Sequence, residues 1–170
     1  DEANVQAMRS SPKERAENVM IVDLLRNDVS RIAEPFSVQV PRLFHAEPLP
    51  TVWQMTSDVQ ARTRPGTGLA DVFAALFPCG SITGAPKRQA MRLIHELESG
   101  PRGVYCGAVG VVRPGIAAGR VHATFNVPIR TVVARGTELR CGIGSGITSG
   151  AEAPAEWQEW RHKRAFLDKV

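Results

Sequence analysis

The spacing of apolar and polar residues predicts helices at four places along the chain. The first begins at Ser10–Glu14, where hydroxyl residues, a proline and an acid stand in the order typical of helix starts, and it is predicted to run to about Val29 or Ala33. Helical spacing returns at Asp71–Leu76, Ala85–Glu98 and Pro154–Val170. Turn-forming residues at positions 78–84 separate the second helix from the third.

Strand-like spacing fills most of the remaining chain. The predicted strands are Ser37–Val40, Thr51–Thr63, Val104–Val112, Arg120–Ala134 and Glu138–Ile147. Short links at Pro114-Gly115 and Arg135-Gly136 favour antiparallel neighbours, because parallel strands need long crossover connections. Helices and strands in mixed blocks predict an α+β fold with a substantial antiparallel sheet flanked by helices.

The composition is typical of a globular protein with a hydrophobic core. The chain has 170 residues, of which 43% are hydrophobic, and it suits one domain or a large part of one. No apolar stretch reaches the roughly 18 residues that span a bilayer, and no signal-peptide pattern opens the chain. The three cysteines show no CxxC spacing, which predicts reduced thiols. We therefore expect a cytoplasmic protein without membrane contacts.

The charge pattern argues against nucleic acid as a partner. The net charge is +4, but the arginines are spread through every segment and lack the interleaved aromatic residues of a base-stacking surface. A mildly basic chain equally suits a small anionic substrate. The four histidines have no motif-spaced serine or cysteine partner, so nucleophilic catalysis has little support.

Two pairs of glutamates carry the first candidate chemistry. Glu14 and Glu17 share a helical face that continues into Ile21 and Leu25, and Glu156 and Glu159 share a face with Trp160 and Lys163. We expect these acids to point inward, where two like charges require a neutralising cation. Two such pairs facing each other would suit Mg²⁺, which prefers carboxylate oxygens. Solvated helix faces, or acids bonded to arginine, explain the same spacing, and the pattern leaves both interpretations open.

Two glycine-rich segments are the second candidate. Gly142–Gly146 ends a predicted strand, where a backbone without side chains can approach an anionic ligand, although Ile147 breaks the dinucleotide-binding fingerprint. Gly80–Lys87 lacks the spacing of a phosphate-binding loop, but it enters a helix whose free N–H groups could face an anion. A tightly packed strand end and a plain helix start explain these two segments equally well.

Taken together, these segments resemble the chorismate-binding enzymes, which include anthranilate synthase component I, aminodeoxychorismate synthase component I and the isochorismate and salicylate synthases. The matching blocks follow in the family's order and cover essentially the whole chain: Lys13–Asn18, Asp23–Asp28, Ser81–Lys87, Arg102–Gly107, Phe125–Thr131, Gly144–Gly146 and Glu156–Lys163. The resemblance implies that residues 1–170 are the C-terminal portion of a single chorismate-binding domain, whose upstream part is absent.

The resemblance also implies roles for individual residues. Glu17 and Glu159 match direct Mg²⁺ ligands, and Glu14 and Glu156 match acids that act close by or through water. Tyr105 and Arg130 match the pair that binds the enolpyruvyl carboxylate of chorismate. The remaining matches are a hydroxyl lining the pocket, the backbone against the substrate, and a basic residue near its carboxylates: Ser81, then Gly144, Ser145 and Gly146, then Lys163.

Within the family, Ser81–Lys87 after Phe77-Pro78, together with Val52–Met55, most resembles the aminodeoxychorismate synthases; many relatives, anthranilate synthases among them, carry His at the position of Gln54. This implies Mg²⁺-dependent amination of chorismate, in folate biosynthesis, with ammonia from a glutaminase subunit or domain. The alternatives are anthranilate synthase, isochorismate or salicylate synthase, and a non-catalytic chorismate-binding module. The catalytic lysine motif is expected upstream of residue 1, so we expect this chain alone to be inactive.

Overall fold

The computed structural model describes residues 5–6, 10–48, 53–117 and 119–169. Within these residues the chain forms helices and small antiparallel sheets, which confirms the predicted α+β class. It divides into two compact units, Asp1–Lys87 and Arg88–Val170. That residues 1–170 belong to a single chorismate-binding domain stays a prediction.

The first unit is built around helix α1, Pro12–Ser30. Its bounds confirm the predicted helix, with proline at the first helical position, where the missing N–H is not needed. Val22 and Asp28 lie on its buried side, and the helix packs against helix α2, Leu69–Leu76, and helix α3, Gly80–Thr83. Gly80 allows the close approach of α3, because a Cβ atom there would lie 2.7 Å from Leu24 Cγ.

Strands β1, Gln39–Pro48, and β2, Trp53–Gln60, form an antiparallel pair that contacts α1. The prediction ended the first strand at Val40, but the structure continues it to Pro48. A two-stranded sheet has an open edge on each strand, where a proline such as Pro41 is tolerated. The pair contains register shifts on either side of Arg42, which lies opposite Asp58 and bonds to it at 2.6 Å.

The turn predicted at residues 78–84 contains the short helix α3. Helix α4 then spans Lys87–Leu97, close to the predicted Ala85–Glu98. No single helix among the described residues is long and apolar enough to cross a membrane, although the bent pair of Leu69–Thr83 and Lys87–Leu97 passes that test together, by length and composition only.

The second unit contains two hairpins. Strand β3, Val109–Pro114, pairs with β4, Val121–Asn126, and strand β5, Val132–Arg135, pairs with β6, Glu138–Cys141. Both pairs are antiparallel, as the short links predicted. With β1 and β2 they make three separate two-stranded sheets, so the substantial sheet expected from the sequence is not formed within the described residues.

Three predicted strands of this unit are wrong in extent. The strand predicted at Glu138–Ile147 ends at Cys141, and residues 142–148 lie outside any strand. Residues 103–107 form a turn instead of the start of a strand, because Gly103 and Cys106 have φ angles of +63° and +59°, outside the extended region. The long strand predicted at Arg120–Ala134 is divided into β4 and β5 at residues 127–131. There Arg130 has a φ angle of +51°, which a strand cannot accommodate.

The chain ends in helix α5, Ala153–Arg164, followed by a 3₁₀ helix at Ala165–Lys169. Together they correspond to the helix predicted from Pro154 to Val170; Val170 itself lies outside the described residues. Pro154 stands in the first turn with the acid Glu156, and four basic residues occupy the last turn, an order that complements the helix dipole.

Candidate functional site

The residues assigned by sequence fall into both units. Glu14, Glu17 and Ser81 belong to the first unit; the others belong to the second, namely Tyr105, Arg130, Gly144, Ser145, Gly146, Glu156, Glu159 and Lys163. The candidate residues therefore form two groups, one in each unit.

One face of α5 carries the acids and the lysine that the spacing predicted. Glu156, Trp160 and Lys163 are half-buried at intervals of four and three residues, so they share the same side of the helix. Glu159, one turn after Glu156, is exposed, so the inward orientation expected for this pair is not observed at Glu159. Lys163 Nζ lies 2.6 Å from Glu159 Oε1, and this i,i+4 ion pair neutralises one of the two acids.

The glycine-rich segment after β6 is bonded to this helical face. The Ser145 hydroxyl donates to Glu156 Oε2 and accepts a hydrogen bond from Trp160 Nε1 at 2.8 Å. Lys163 Nζ donates to the Gly144 carbonyl at 3.0 Å. The structure thus brings Gly144, Ser145, Glu156, Glu159 and Lys163 into one cluster, which we call the α5 cluster.

Tyr105 packs against the same glycine-rich segment. A Cβ atom at Gly142 would lie 2.6 and 2.7 Å from the two Cδ atoms of the tyrosine ring, and one at Gly144 would lie 3.0 Å from its hydroxyl. Position 142 therefore needs glycine for the ring to lie where it does, whereas a side chain at position 144 would displace the hydroxyl by only a few tenths of an ångström. Burial raises the pKa of Tyr105 to about 12, so at neutral pH its hydroxyl is protonated and can donate a hydrogen bond.

Arg130 lies on a segment that is joined to Tyr105 through the backbone. The Cys106 N–H donates to the Pro128 carbonyl at 3.0 Å, which brings the turn containing Tyr105 beside residues 127–131. The Arg130 side chain is exposed and its backbone is in the left-handed region. Among the described residues, no hydrogen bond or ion pair joins the Arg130 guanidinium to the α5 cluster.

The acids of α1 are placed differently from the expectation. Glu17 is exposed, because the buried stripe of α1 passes through Val22 and Asp28 and includes half-buried Asn18, whose side chain bonds to Ser57. The inward orientation expected for this pair is thus not observed at Glu17, and the side chain of Glu14 lies outside the described residues. Ser81 is exposed in the first turn of α3, with its Oγ 3.1 Å from Cys79 Sγ.

Comparison with known proteins decides the family. The family model described as "chorismate binding enzyme" matches residues 1–169. The chain belongs to the chorismate-binding enzymes. The resemblance deduced from the sequence blocks is therefore confirmed, and the α5 cluster and Tyr105 are features of a chorismate-binding chain.

Individual relatives of this chorismate-binding chain belong to two groups of synthases. Aminodeoxychorismate synthase component 1 of Klebsiella aerogenes is 46% identical over 159 residues, which are 94% of this chain and 34% of that protein. Anthranilate synthase component 1 of Streptomyces coelicolor is 41% identical over 164 residues, or 96% of this chain and 31% of that protein. The chain spans about a third of the length of these relatives.

A solved structure supports the fold of the chorismate-binding chain. The crystal structure of anthranilate synthase component I from Streptococcus pneumoniae TIGR4 superposes with a TM-score of 0.85 and 38% identity, covering 96% of this chain and 36% of that one. The backbone that carries Tyr105 and the α5 cluster is thus the family's backbone.

The donor set of the chorismate-binding chain fits Mg²⁺ in its chemistry. Glu156 and Glu159 each use one carboxylate oxygen for a protein contact, which leaves a second oxygen of each for a hard cation. Among the described residues, no three His, Cys, Asp or Glu side chains lie close enough together to hold a metal ion. The metal assignment of Glu17, Glu159, Glu14 and Glu156 stays a prediction.

Sequence reasoning missed an ion pair beside Tyr105. The Arg102 guanidinium donates to both carboxylate oxygens of Glu98, at distances from 2.6 to 3.1 Å, and its Cζ lies 5.9 Å from the centre of the Tyr105 ring. These bonds lower the pKa of Glu98. The i,i+4 spacing of Glu98 and Arg102 was the available signal. Arg102 belongs to the block Arg102–Gly107 that matches the family. Its position near Tyr105 depends on the turn at residues 103–107, which the sequence analysis predicted as strand.

Proposed function

We propose that this chain is the C-terminal part of an aminodeoxychorismate synthase component 1, which converts chorismate and ammonia into 4-amino-4-deoxychorismate. Support comes from relatives of that name, such as the Klebsiella aerogenes protein at 46% identity. The observation that carries the proposal is the α5 cluster with Tyr105 beside it, because chorismate has two carboxylates for a cation and hydrogen-bond donors to bind.

The chemistry of this surface suits that substrate. A protonated Tyr105 hydroxyl donates a hydrogen bond to a carboxylate, and the planar guanidinium of Arg130 would pair with the same group through two bonds. The glycine backbone at residues 142–146 leaves room for a ring to approach, and its peptide groups offer further polar contacts. Lys163 adds a positive charge that is already oriented by the Gly144 carbonyl and by Glu159.

We further propose Mg²⁺ as the cofactor. Glu159 and Glu17 would hold it directly, with Glu156 and Glu14 close by or bonded through water. When bound, Mg²⁺ supplies positive charge that neutralises these carboxylates and attracts a carboxylate of the substrate. The bonds to Ser145 and Lys163 orient Glu156 and Glu159 on α5.

The partner in this proposal is a glutaminase that supplies ammonia, as a separate subunit or a fused domain. Relatives such as the Klebsiella aerogenes and Salmonella typhimurium proteins are named component 1, which is consistent with a second component. The residues that perform the substitution are proposed to lie outside this chain, so the chain by itself is expected to bind but not to turn over chorismate.

Product analysis tests the proposal. The full-length enzyme is incubated with chorismate, Mg²⁺ and ammonia, and the products are identified by chromatography and mass spectrometry. Aminodeoxychorismate retains the enolpyruvyl group, whereas anthranilate formation releases pyruvate. Formation of the aminated product without pyruvate supports the proposal, and stoichiometric pyruvate with anthranilate overturns it. Calorimetry of the 170-residue chain with Mg²⁺ and chorismate separates binding from catalysis.

Anthranilate synthase component 1 is the second candidate. It is favoured by the Streptomyces coelicolor relative at 41% identity and by the matching Streptococcus pneumoniae structure. Gln54 argues against it, because an imidazole at this position is common among anthranilate synthases and a glutamine amide cannot exchange a proton at neutral pH. If Gln54 limits the reaction to amination, Gln54→His should introduce measurable pyruvate release, with Gln60→His at the end of β2 as the matched control.

A further inference from the structure

The ion pair between Glu98 and Arg102 is better organised than the other ion pair on the same stretch of chain. Its three hydrogen bonds join the guanidinium fork to both carboxylate oxygens. By comparison, Arg92 and Glu96 on α4 have the same i,i+4 spacing, but they meet at 3.6 Å and both side chains are more than half exposed. A forked pair costs less ordering entropy per bond and fixes the plane of the guanidinium.

The oriented guanidinium lies over the Tyr105 ring. Its Cζ atom is 5.9 Å from the ring centre, within the range of cation–π attraction. The backbone of Gly142 packs against the same ring, and Gly144 lies beside the tyrosine hydroxyl. The Tyr105 ring therefore packs against the backbone of Gly142, and the Arg102 guanidinium near the ring is held in place by Glu98.

The charge on Arg102 also acts on the tyrosine hydroxyl. Burial raises the Tyr105 pKa, and the nearby Arg102 charge opposes that rise by favouring the negative form of the oxygen. The net effect is still a raised pKa, so the hydroxyl stays protonated at neutral pH and can donate a hydrogen bond to a carboxylate. The thiol of Cys106 is buried and its pKa is raised, so it remains neutral beside them.

We propose that Arg102, held by Glu98, is a positioning residue that orients Tyr105 for binding a substrate carboxylate. This inference rests on the proposed function for its consequence in the enzyme, but the link between Arg102 and Tyr105 stands on the geometry alone. It assigns a role to two residues that make no direct contact with the substrate in this scheme.

Kinetics of the full-length enzyme test the predicted effect of Arg102 on substrate binding. Arg102→Gln should raise the KM for chorismate roughly tenfold while kcat changes little, because it weakens binding that is equally present in ground and transition states. Glu98→Gln should have a smaller effect in the same direction, and Arg102→Lys an intermediate one, since a cation is retained but the fork is lost. Arg92→Gln is the matched control and should leave KM unchanged.

A double-mutant cycle separates positioning from a general structural effect. In a Tyr105→Phe background the hydroxyl is absent, so Arg102→Gln should add little to KM. If the effects of the two substitutions on KM multiply instead, Arg102 acts independently of the Tyr105 hydroxyl and the proposal is overturned. The proposal also fails if Arg102→Gln changes KM no more than the Arg92→Gln control does.

A spectroscopic measurement keeps the inference testable if the proposed activity is wrong. The chain contains a single tyrosine, so ¹³C-labelled tyrosine gives one set of ring signals in the 170-residue protein. Arg102→Gln should shift these signals while circular dichroism stays unchanged, and Arg92→Gln should not. Unchanged ring signals would refute the link itself, whereas shifted signals in an enzyme that does not aminate chorismate would refute only the proposed function.

Discussion

Lys87 Nζ lies 2.6 Å from Asp28 Oδ2, and the two side chains are 18% and 5% exposed. Asp28 stands in the last turn of α1 and Lys87 is the first residue of α4, so each charge has the unfavourable sign for its helix dipole. Each is therefore stabilised chiefly by the other. The bond joins two of the sequence blocks that the chain shares with its family.

Removing one partner of this buried pair should destabilise the first unit strongly. We expect Lys87→Met to lower the free energy of unfolding by about 3 kcal/mol, because it leaves the Asp28 carboxylate buried without a counter-charge. Urea titration followed by circular dichroism measures the loss. The double variant with Asp28→Asn should lose less than the sum of the two single changes.

The matched control for that pair is Asp23→Asn. Asp23 bonds to Arg26 on the same helix at 2.8 Å, but both side chains are more than half exposed, so its loss should cost less than about 1 kcal/mol. Equal losses in Lys87→Met and Asp23→Asn would contradict the importance of burial at Lys87.

A methyl group at Gly142 should displace the Tyr105 ring. We expect Gly142→Ala to lower the free energy of unfolding by about 1–3 kcal/mol, since the new Cβ overlaps the ring and the packing must shift. Gly150→Ala is the control, because no atom lies within 4 Å of a Cβ there. Chemical denaturation of both variants checks the prediction, and similar stabilities would argue against close packing at Gly142.

Tyr105 should titrate far above an ordinary tyrosine. Because burial raises its pKa from 10.0 to about 12, tyrosinate absorbance should appear near pH 12 in the folded chain and near pH 10 in urea. The raised pKa contributes stability that is fully present below pH 10 and is lost as the pH rises through 12. The Tyr105→Phe variant should not show this loss of stability between pH 10 and pH 12. A midpoint near pH 10, with circular dichroism still native, would disprove the assignment.

The Ser145 hydroxyl should hold α5 against the glycine-rich segment. Ser145→Ala removes the acceptor of the Trp160 indole N–H and a donor to Glu156, and we expect it to cost about 1–3 kcal/mol, as for other part-buried groups left without a partner. Thermal unfolding measures the change. Ser30→Ala, which loses only an exposed bond to the Asn27 carbonyl, should stay within about 0.5 kcal/mol of the parent chain.

Glu159→Gln tests the proposed metal site. In the full-length enzyme we expect the Mg²⁺ dissociation constant, measured by calorimetry, to rise roughly tenfold or more, because a neutral amide is a poorer ligand than a carboxylate. Glu138→Gln, on the exposed strand β6, is a matched change of charge that should leave Mg²⁺ binding unaltered. Equal affinities in the two variants would exclude Glu159 as a ligand.

The strands show where sequence patterns stop being sufficient. The links at Pro114-Gly115 and Arg135-Gly136 predicted antiparallel hairpins correctly, because a short connection allows few geometries. The turn at residues 103–107 was largely predicted as the start of a strand, since Val104 and Tyr105 are residue types that strands favour. Its left-handed backbone depends on the bond from Cys106 to Pro128, two residues that are distant in sequence.

The sequence by itself determined four of the helices, the shared face of Glu156, Trp160 and Lys163, and the family. Helical neighbours are only three or four positions apart, so local spacing encodes them directly. Only the tertiary structure decided that Ser145 bonds to that face, that Tyr105 packs on Gly142, and that Lys87 reaches Asp28 across 59 positions. Such contacts depend on how distant segments pack, which local periodicity does not specify.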